Sequence, residues 1–405
     1  MAAILSRSWL QAIRPHQQPV PLDPWLLLGT GGLVMLGIIM VASSSLPVAQ
    51  AAGAPFYYLT RHLVALGLGL ILALLLYRAD PARLEKYSPF FALAAFMLLL
   101  LPFIPGLGVR INGANRWIRL LITNFQVVEA VKLCLVVFLA GFCVRRAWEL
   151  QNRLTGILKP LGVALLMVGA LLMQPDFGGA VLVLTITIGM IWLAGASRVR
   201  LGLLAASLVP ALLAIAWLEP YRIKRMVSFL DPWADPFKDG FQLTQALIAV
   251  GRGEWFGVGL GQSVQKLHYL PEAYTDFIVA VLAEELGFFG IALTVLLFAI
   301  VAGRCFMLGL EAVRREKFFL GYCGFGIGIW IAAQSLVSMG VNLGMLPTKG
   351  LTLPLISSGG SSAMLTLAAL GLVFRISAEL RRPGAAPVPG GPSGNAVANP
   401  IGATP

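Results

Sequence analysis

Charge is scarce in this chain. Asp, Glu, Lys and Arg make up 12% of its 405 residues, whereas a soluble domain averages about 25%. Histidine is scarcer: His16, His62 and His268 are scattered, which argues against a His-rich metal site. The four cysteines, Cys134, Cys143, Cys305 and Cys323, fall in or beside apolar stretches. They form neither a disulfide framework nor a metal-ligand spacing. No alternating strand pattern recurs, which excludes a membrane β-barrel. No short N-terminal apolar region precedes a small-residue cleavage site. The expectation is therefore no cleaved signal peptide, with the first span acting as targeting signal.

What the chain has instead is apolar residues. They make up 58% of it, with a mean hydropathy of +0.84. A membrane-crossing helix needs about 20 mostly apolar residues. Ten such segments are expected, near 25–45, 57–77, 88–106, 127–146, 157–173, 178–196, 201–218, 276–303, 318–342 and 352–376. The predicted fold is all-α: a polytopic integral membrane protein with about ten transmembrane helices and one large extracytoplasmic loop at 219–275.

Basic residues set the orientation. Arg78, Arg83 and Lys86, then Arg145, Arg146, Arg153 and Lys159, then Arg198 and Arg200 fall in alternate short loops. So do Arg304, Arg314, Arg315 and Lys317, with Arg375, Arg381 and Arg382 at the end. The positive-inside rule then places both termini in the cytoplasm. Trp25, Trp148, Trp192 and Trp217 near span ends fit an aromatic belt. The net charge of +12 is explained by topology and anionic lipid, not by nucleic acid. Three parts follow: a cytoplasmic segment at 1–24, a membrane domain at 25–376, and a Pro-, Gly- and Ala-rich disordered tail at 377–405. Within the large loop, FQLTQALIAVG is expected to form a short helix on the membrane surface.

Outer cations are not explained by topology. The loop GVRINGANRWIRLLITNFQ carries Arg110, Arg116 and Arg119. YRIKRMVSFLDPWADP carries Arg222, Lys224 and Arg225, and Lys349 lies in NLGMLPTKGLTLPLISSGGSS. They are either a solvated rim or a seat for an anionic ligand, since Arg matches the bidentate geometry of phosphate oxygens. Glu129 and Lys132, three residues apart in QVVEAVKLCLV, share a helix face and can pair. The pair is either structural or functional, because ionisable groups inside a bilayer are costly. QPDFGG places Asp176 at a tight turn, where a helix-capping role is the plain reading. ISSGGSS at 356–362 is a small polar insertion that lets helices approach closely or turns backbone N–H groups towards a cavity.

PEAYTDFIVAVLAEELGFFG carries four carboxylates: Glu272, Asp276, Glu284 and Glu285. On a helix the last two lie roughly 12–14 Å below Asp276. They are expected to make buried polar contacts. Asp276 sits at the membrane–water boundary beside the outer cations, positioned to act as a base. On the residues alone, a helix cap is the plainer reading of an aspartate at a helix start.

NGANRWI, FQVVEAVKL, QPDFGGA, YRIKRMVSFLDPWADP, GFQLTQALIAVGRGEWFGVGLGQSVQKLHYLPEAYTDFIVAVLAEELGFFG and LPTKGLTLPLISSGGSS together resemble the SEDS family of bacterial membrane proteins, in its FtsW/RodA group. GVGLGQSVQKLHYLPEAYTDFI looks like the division branch, FtsW, more than the elongation branch, RodA. The resemblance implies a ten-span fold. It also implies an inverting glycosyltransferase that polymerises lipid II into septal peptidoglycan at the outer face of the cytoplasmic membrane. It maps the essential aspartate onto Asp276 and the intramembrane pair onto Glu129 and Lys132. It maps the substrate cations onto Arg116, Arg222, Arg225 and Lys349, where they would stabilise the diphosphate leaving group. It implies a class B penicillin-binding transpeptidase (FtsI-like) and other divisome proteins (FtsQ-, FtsL-, FtsB- and FtsN-like) as partners. A divalent cation, Mg or Mn, could share the charge stabilisation, although the sequence shows no dedicated metal ligands. The chain departs from the family pattern at Tyr274, where His is common, at Ser358, where Tyr is common, and in QPDFGG for QPDLGT. The rival readings are a lipid II flippase and a scaffold that activates the transpeptidase.

Overall fold

The computed structural model describes residues 22–111, 113–119, 124–217, 228–238, 240–347 and 350–381. Helices dominate. In chain order the long ones are α1 (Pro24–Ala51), α2 (Tyr57–Arg78), α3 (Pro81–Leu100), α4 (Val127–Arg145), α6 (Leu154–Met173), α7 (Phe177–Leu193), α8 (Arg198–Trp217), α10 (Ile278–Arg314), α11 (Phe318–Asn342) and α12 (Gly360–Arg381). Two shorter helices are α5 (Ala147–Asn152) and α9 (Phe241–Gly253). Among the described residues, eight helices are long and apolar enough to cross a bilayer. The 17 residues of α7 and the 20 of α8 fall where two further spans are expected. Many large apolar side chains on α2 and α3 stay exposed, among them Leu70, Leu75, Phe90 and Leu93. Such a surface suits lipid contact rather than water.

Local chemistry starts several helices. Asp23 caps α1 by accepting from the Leu26 N–H at 2.9 Å, with Pro24 in the first turn. Asp80 and Pro81 repeat the device at α3. Asp176 caps α7 through the Gly179 N–H at 3.0 Å, as the turn QPDFGG suggests. An aspartate cap followed by proline satisfies an orphan N–H and pre-sets the helical backbone. Close helix contacts rest on small residues. A Cβ on Gly371 of α12 would lie 2.3 Å from the Ala73 carbonyl oxygen of α2.

Three features depart from the sequence reading. The loop after α3 is not irregular. It forms an antiparallel sheet of β1 (Gly108–Ile111), β2 (Ala114–Arg119) and β3 (Asn124–Gln126), in that order. Trp117 pairs with Gln126, directly before α4. These strands are too short for a recurring alternation to register. Second, the apolar segment beginning near 276 is not one straight span. Gly287, at φ 66° and ψ −161°, breaks α10 into a half-helix (278–286) and a long helix (288–314). The backbone of Trp255–Gly257 crowds this break, and a Cβ there would lie 2.4 Å from the Gly257 nitrogen. Only glycine fits such a place. Third, the last helix starts at Gly360 rather than 352 and runs to Arg381. LTLPLISS before it is non-helical.

FQLTQALIAVG is helical as expected, within α9. Gly253 lets α9 lie directly on the half-helix, because a Cβ there would sit 1.9 Å from the Ala283 carbonyl oxygen.

Candidate active site

Pairing with β3 holds β2 at the start of α4 and so fixes Arg116. Its Nη1 lies 3.8 Å from Oδ1 of Asp176, which is 2% exposed at the start of α7. Asp176 therefore caps its helix and also orients Arg116. The partly exposed Asp276 stands just before the half-helix of α10. The two groups converge on Gly350. A Cβ placed on Gly350 would lie 2.9 Å from Asp276 Oδ2 and 3.6 Å from Arg116 Nη2. A carboxylate and a guanidinium, more than 150 residues apart in sequence, thus face one stretch of bare backbone. Lys349 adjoins that glycine in sequence but lies outside the described residues, as do Arg222 and Arg225.

Asp276 lies one residue before the N-cap position of its helix. Phe277 holds the N-cap position without a side-chain cap bond. Asn342, at the end of α11 and fully buried, serves instead. Its Oδ1 accepts from the Ala280 N–H at 3.1 Å and its Nδ2 donates to the Asp276 carbonyl oxygen at 2.9 Å. Asn342 thus reaches across from α11 to the first turn of the half-helix and to the Asp276 backbone.

Glu129 and Lys132 pair at 2.8 Å with both side chains buried. The pair is part of a larger network. Lys132 Nζ donates to Gln334 Oε1 at 2.6 Å and lies 4.7 Å from the centroid of the Trp330 ring. Trp330 Nε1 donates to the same oxygen at 2.7 Å. Gln334 Nε2 donates to the Thr352 carbonyl oxygen at 2.9 Å. The intramembrane pair is thereby linked to the segment that carries Gly350.

The two deeper glutamates make buried contacts, as expected, but with partners the sequence reading did not single out. Glu284 accepts from Arg252 Nη1 at 2.9 Å, from the Val264 and Gln265 N–H groups at 3.1 and 3.3 Å, and from Ser263 Oγ. Glu285 pairs with Lys266 at 2.6 Å and accepts from Ser43 Oγ at 2.7 Å. Together they clamp residues 252–266 onto the half-helix. Two of the three family departures meet: the Ser358 N–H donates to the Tyr274 carbonyl oxygen at 3.0 Å. The Tyr274 ring lies 4.6 Å from that of Tyr58. Burial first, then the Tyr58 contact, pushes the Tyr274 hydroxyl above the usual tyrosine range and keeps it protonated.

Asn342, Gln334, Arg252 and Lys266 are absent from the sequence-derived site. A signal for the first two existed: amides inside apolar helices are expensive unless satisfied. Among the described residues no three His, Cys, Asp or Glu side chains converge as metal ligands. A divalent cation held by protein ligands alone does not fit them.

Comparison with known proteins identifies the chain's relatives. The family model for cell cycle proteins of the FtsW, RodA and SpoVE type matches residues 24–382. The chain belongs to this family. It is 51% identical to a probable peptidoglycan glycosyltransferase FtsW of Xanthomonas oryzae pv. oryzae, over 89% of this chain and 74% of that one. The corresponding protein of Nitrosococcus halophilus is 47% identical, over 89% and 93%. Among solved structures, a peptidoglycan synthase complex described as coordinating polymerization and crosslinking matches with a TM-score of 0.71 at 32% identity. It covers 90% of this chain and 100% of that one. The Thermus thermophilus rod shape determining protein RodA matches with a TM-score of 0.64 at 28% identity, covering 88% and 97%. This FtsW/RodA-family chain is thus a multi-pass membrane protein.

Proposed function

We propose that the chain is a peptidoglycan glycosyltransferase that polymerises lipid II at the outer face of the cytoplasmic membrane during septal wall synthesis. The convergence of Asp276 and Arg116 on the bare backbone of Gly350 carries this reading. Asp276 accepts the proton of the acceptor GlcNAc 4-hydroxyl. That oxygen forms a bond to the anomeric carbon of the lipid-linked donor, from the face opposite the leaving group. The bond from that carbon to the diphosphate oxygen breaks, the configuration inverts, and polyprenyl diphosphate departs. Arg116 meets the charge that develops on it, and Arg222, Arg225 and Lys349 supply further cations. Such fixed charges stabilise a transition state without reorganising. Gly350 matters because it adds no side chain between Asp276 and Arg116. The buried Glu129–Lys132–Gln334 network supports the floor of the site.

The partner of this reaction is a class B penicillin-binding transpeptidase that crosslinks the emerging strand, with other divisome membrane proteins around it. Both termini face the cytoplasm, in keeping with the basic loops.

The test uses the purified chain with its transpeptidase and lipid II. The parental protein makes glycan polymer and a folded Asp276→Asn protein does not. Polymer at the parental rate from Asp276→Asn would remove Asp276 as base. Movement of fluorescent lipid II across liposomes without polymer would point instead to a flippase.

A further inference from the structure

Every serine of ISSGGSS, before and at the start of α12, is committed to a bond. Ser357 Oγ accepts from the Leu353 N–H at 2.8 Å and closes a turn within the segment. The Ser358 N–H donates to the Tyr274 carbonyl oxygen at 3.0 Å, two residues before Asp276. Ser361 Oγ accepts from the Gln126 N–H at 2.9 Å. Ser362 Oγ accepts from Gln334 Nε2 at 3.4 Å. Close helix approach and outward-turned N–H groups are the two plain readings of a small polar insertion. Neither accounts for bonds to Tyr274, Gln126 and Gln334, which lie in three separate parts of the chain.

Gln126 stands at a junction. It is the last residue of β3, where it pairs with Trp117, the neighbour of Arg116. It also holds the N-cap position of α4, the helix of Glu129 and Lys132, and its own side chain makes no cap bond. Gln126 and Ser361 are both buried. A buried N–H left without an acceptor is costly, so Ser361 holds this junction in place. Ser358 and Ser361 thus bond, from one short segment, the backbone beside the proposed base and the sheet that carries the proposed cation.

The segment that makes these bonds is stiff. Leu355 is buried at φ 65°, a left-handed conformation uncommon for any residue but glycine. Its carbonyl oxygen is pressed against α1, where a Cβ on Gly37 would come within 2.2 Å of it. Backbone in such a region persists only where its surroundings fix it. A segment fixed in this way transmits position instead of yielding.

We propose that Ser361 is a positioning residue for glycosyl transfer: by holding Gln126 it sets the place of Arg116 relative to Asp276. This rests on the roles given above to Asp276 and Arg116. Without the Ser361 hydroxyl, β3 and β2 are free to shift away from the segment of Tyr274. A shift of about 1 Å at a reacting group can cost roughly 10²-fold in rate.

Steady-state polymerisation of lipid II by the full chain with its transpeptidase tests this. Ser361→Ala lowers kcat at least about tenfold and moves KM little. Ser361→Cys, of similar size but with a weaker acceptor, loses less. In an Arg116→Lys background Ser361→Ala costs much less than it does alone, because the fork it positions is gone. Thermal melting without substrate checks folding, and where Ser361→Ala does not fold, Ser361→Cys decides. Parental kcat in the folded Ser361 variants overturns the proposal. So do losses from Ser361→Ala and Arg116→Lys that multiply in full. If Arg116→Lys leaves no measurable rate, the order parental, Ser361→Cys, Ser361→Ala decides, and any other order overturns it. Asp276→Asn is assayed alongside. Polymer from it at the parental rate overturns the base assignment, whereas its loss of polymer together with a parental Ser361→Ala overturns this proposal alone.

Discussion

Asn342 holds Asp276 from a helix 66 residues away in sequence. Its amide nitrogen donates to the Asp276 carbonyl oxygen at 2.9 Å, and its amide oxygen accepts from the Ala280 N–H at 3.1 Å. One side chain thus caps the half-helix and fixes the backbone that presents the proposed base. Asn342→Ala should lower stability by about 0.5–2 kcal/mol, the worth of a cap. Its larger effect should be on rate, because a displacement of about 1 Å at a reacting group can cost roughly 10²-fold. A steady-state assay with lipid II should show kcat down at least about tenfold with KM little changed. Parental kcat in the folded variant would end this assignment.

Gly350 is where Asp276 and Arg116 approach bare backbone. A methyl group there would stand 2.9 Å from Asp276 Oδ2, closer than ordinary contact. Gly350→Ala should push the carboxylate aside at little cost in stability, because the crowded atom is the end of a side chain. Polymerisation should fall while the melting temperature changes little. A gel assay of polymer length and amount checks this, and undiminished polymer would show that the carboxylate has room to move.

Lys132 should be harder to lose than the whole ion pair. Lys132→Met leaves Glu129 buried and uncompensated, at a cost of about 3–5 kcal/mol. Replacing both groups by apolar residues of similar size removes both charges, and comparable swaps in other proteins are often close to neutral. Thermal melts should therefore rank Lys132→Met below the Glu129→Leu/Lys132→Met double variant. The reverse order would mean that Lys132 acts mainly through Gln334 and Trp330.

Asp23 should make stability depend on acid. Burial alone would raise its pKa, but Arg304, the Leu26 N–H and Arg381 outweigh burial and hold it below the ordinary 3.8. A depressed carboxylate pKa contributes stability that is complete above the unfolded value and is lost as pH falls through the folded one. The melting-temperature gap between the parental protein and Asp23→Asn should be widest near neutral pH and close below pH 3.8. A gap that stays constant through that range would show that the ion pairs contribute little.

Much of this molecule is local and therefore legible in its residues. Long apolar stretches announce the helices because a bilayer tolerates little else. Glu129 and Lys132 announce their pairing because three residues bring two side chains onto one helical face. Asp176 announces its cap through the turn around it. Motif similarity, not spacing, distinguished Asp276 from an ordinary helix-start carboxylate.

What required the folded chain is everything that depends on contacts between distant segments. No periodicity reveals that Arg116 and Asp276 share the space over Gly350, because β2 and α10 meet only once the bundle has closed. Hydropathy reads through Gly287, since a glycine in an apolar run looks like any other small residue until the Trp255–Gly257 backbone crosses it. The partners of Glu284 and Glu285 are Arg252, in the last turn of α9, and Lys266, in the loop after it, and both could have stayed in water. The sequence by itself determined a bundle of membrane helices and the chemical groups available to it. Tertiary packing decided which groups meet, because a buried charge finds its partner through space.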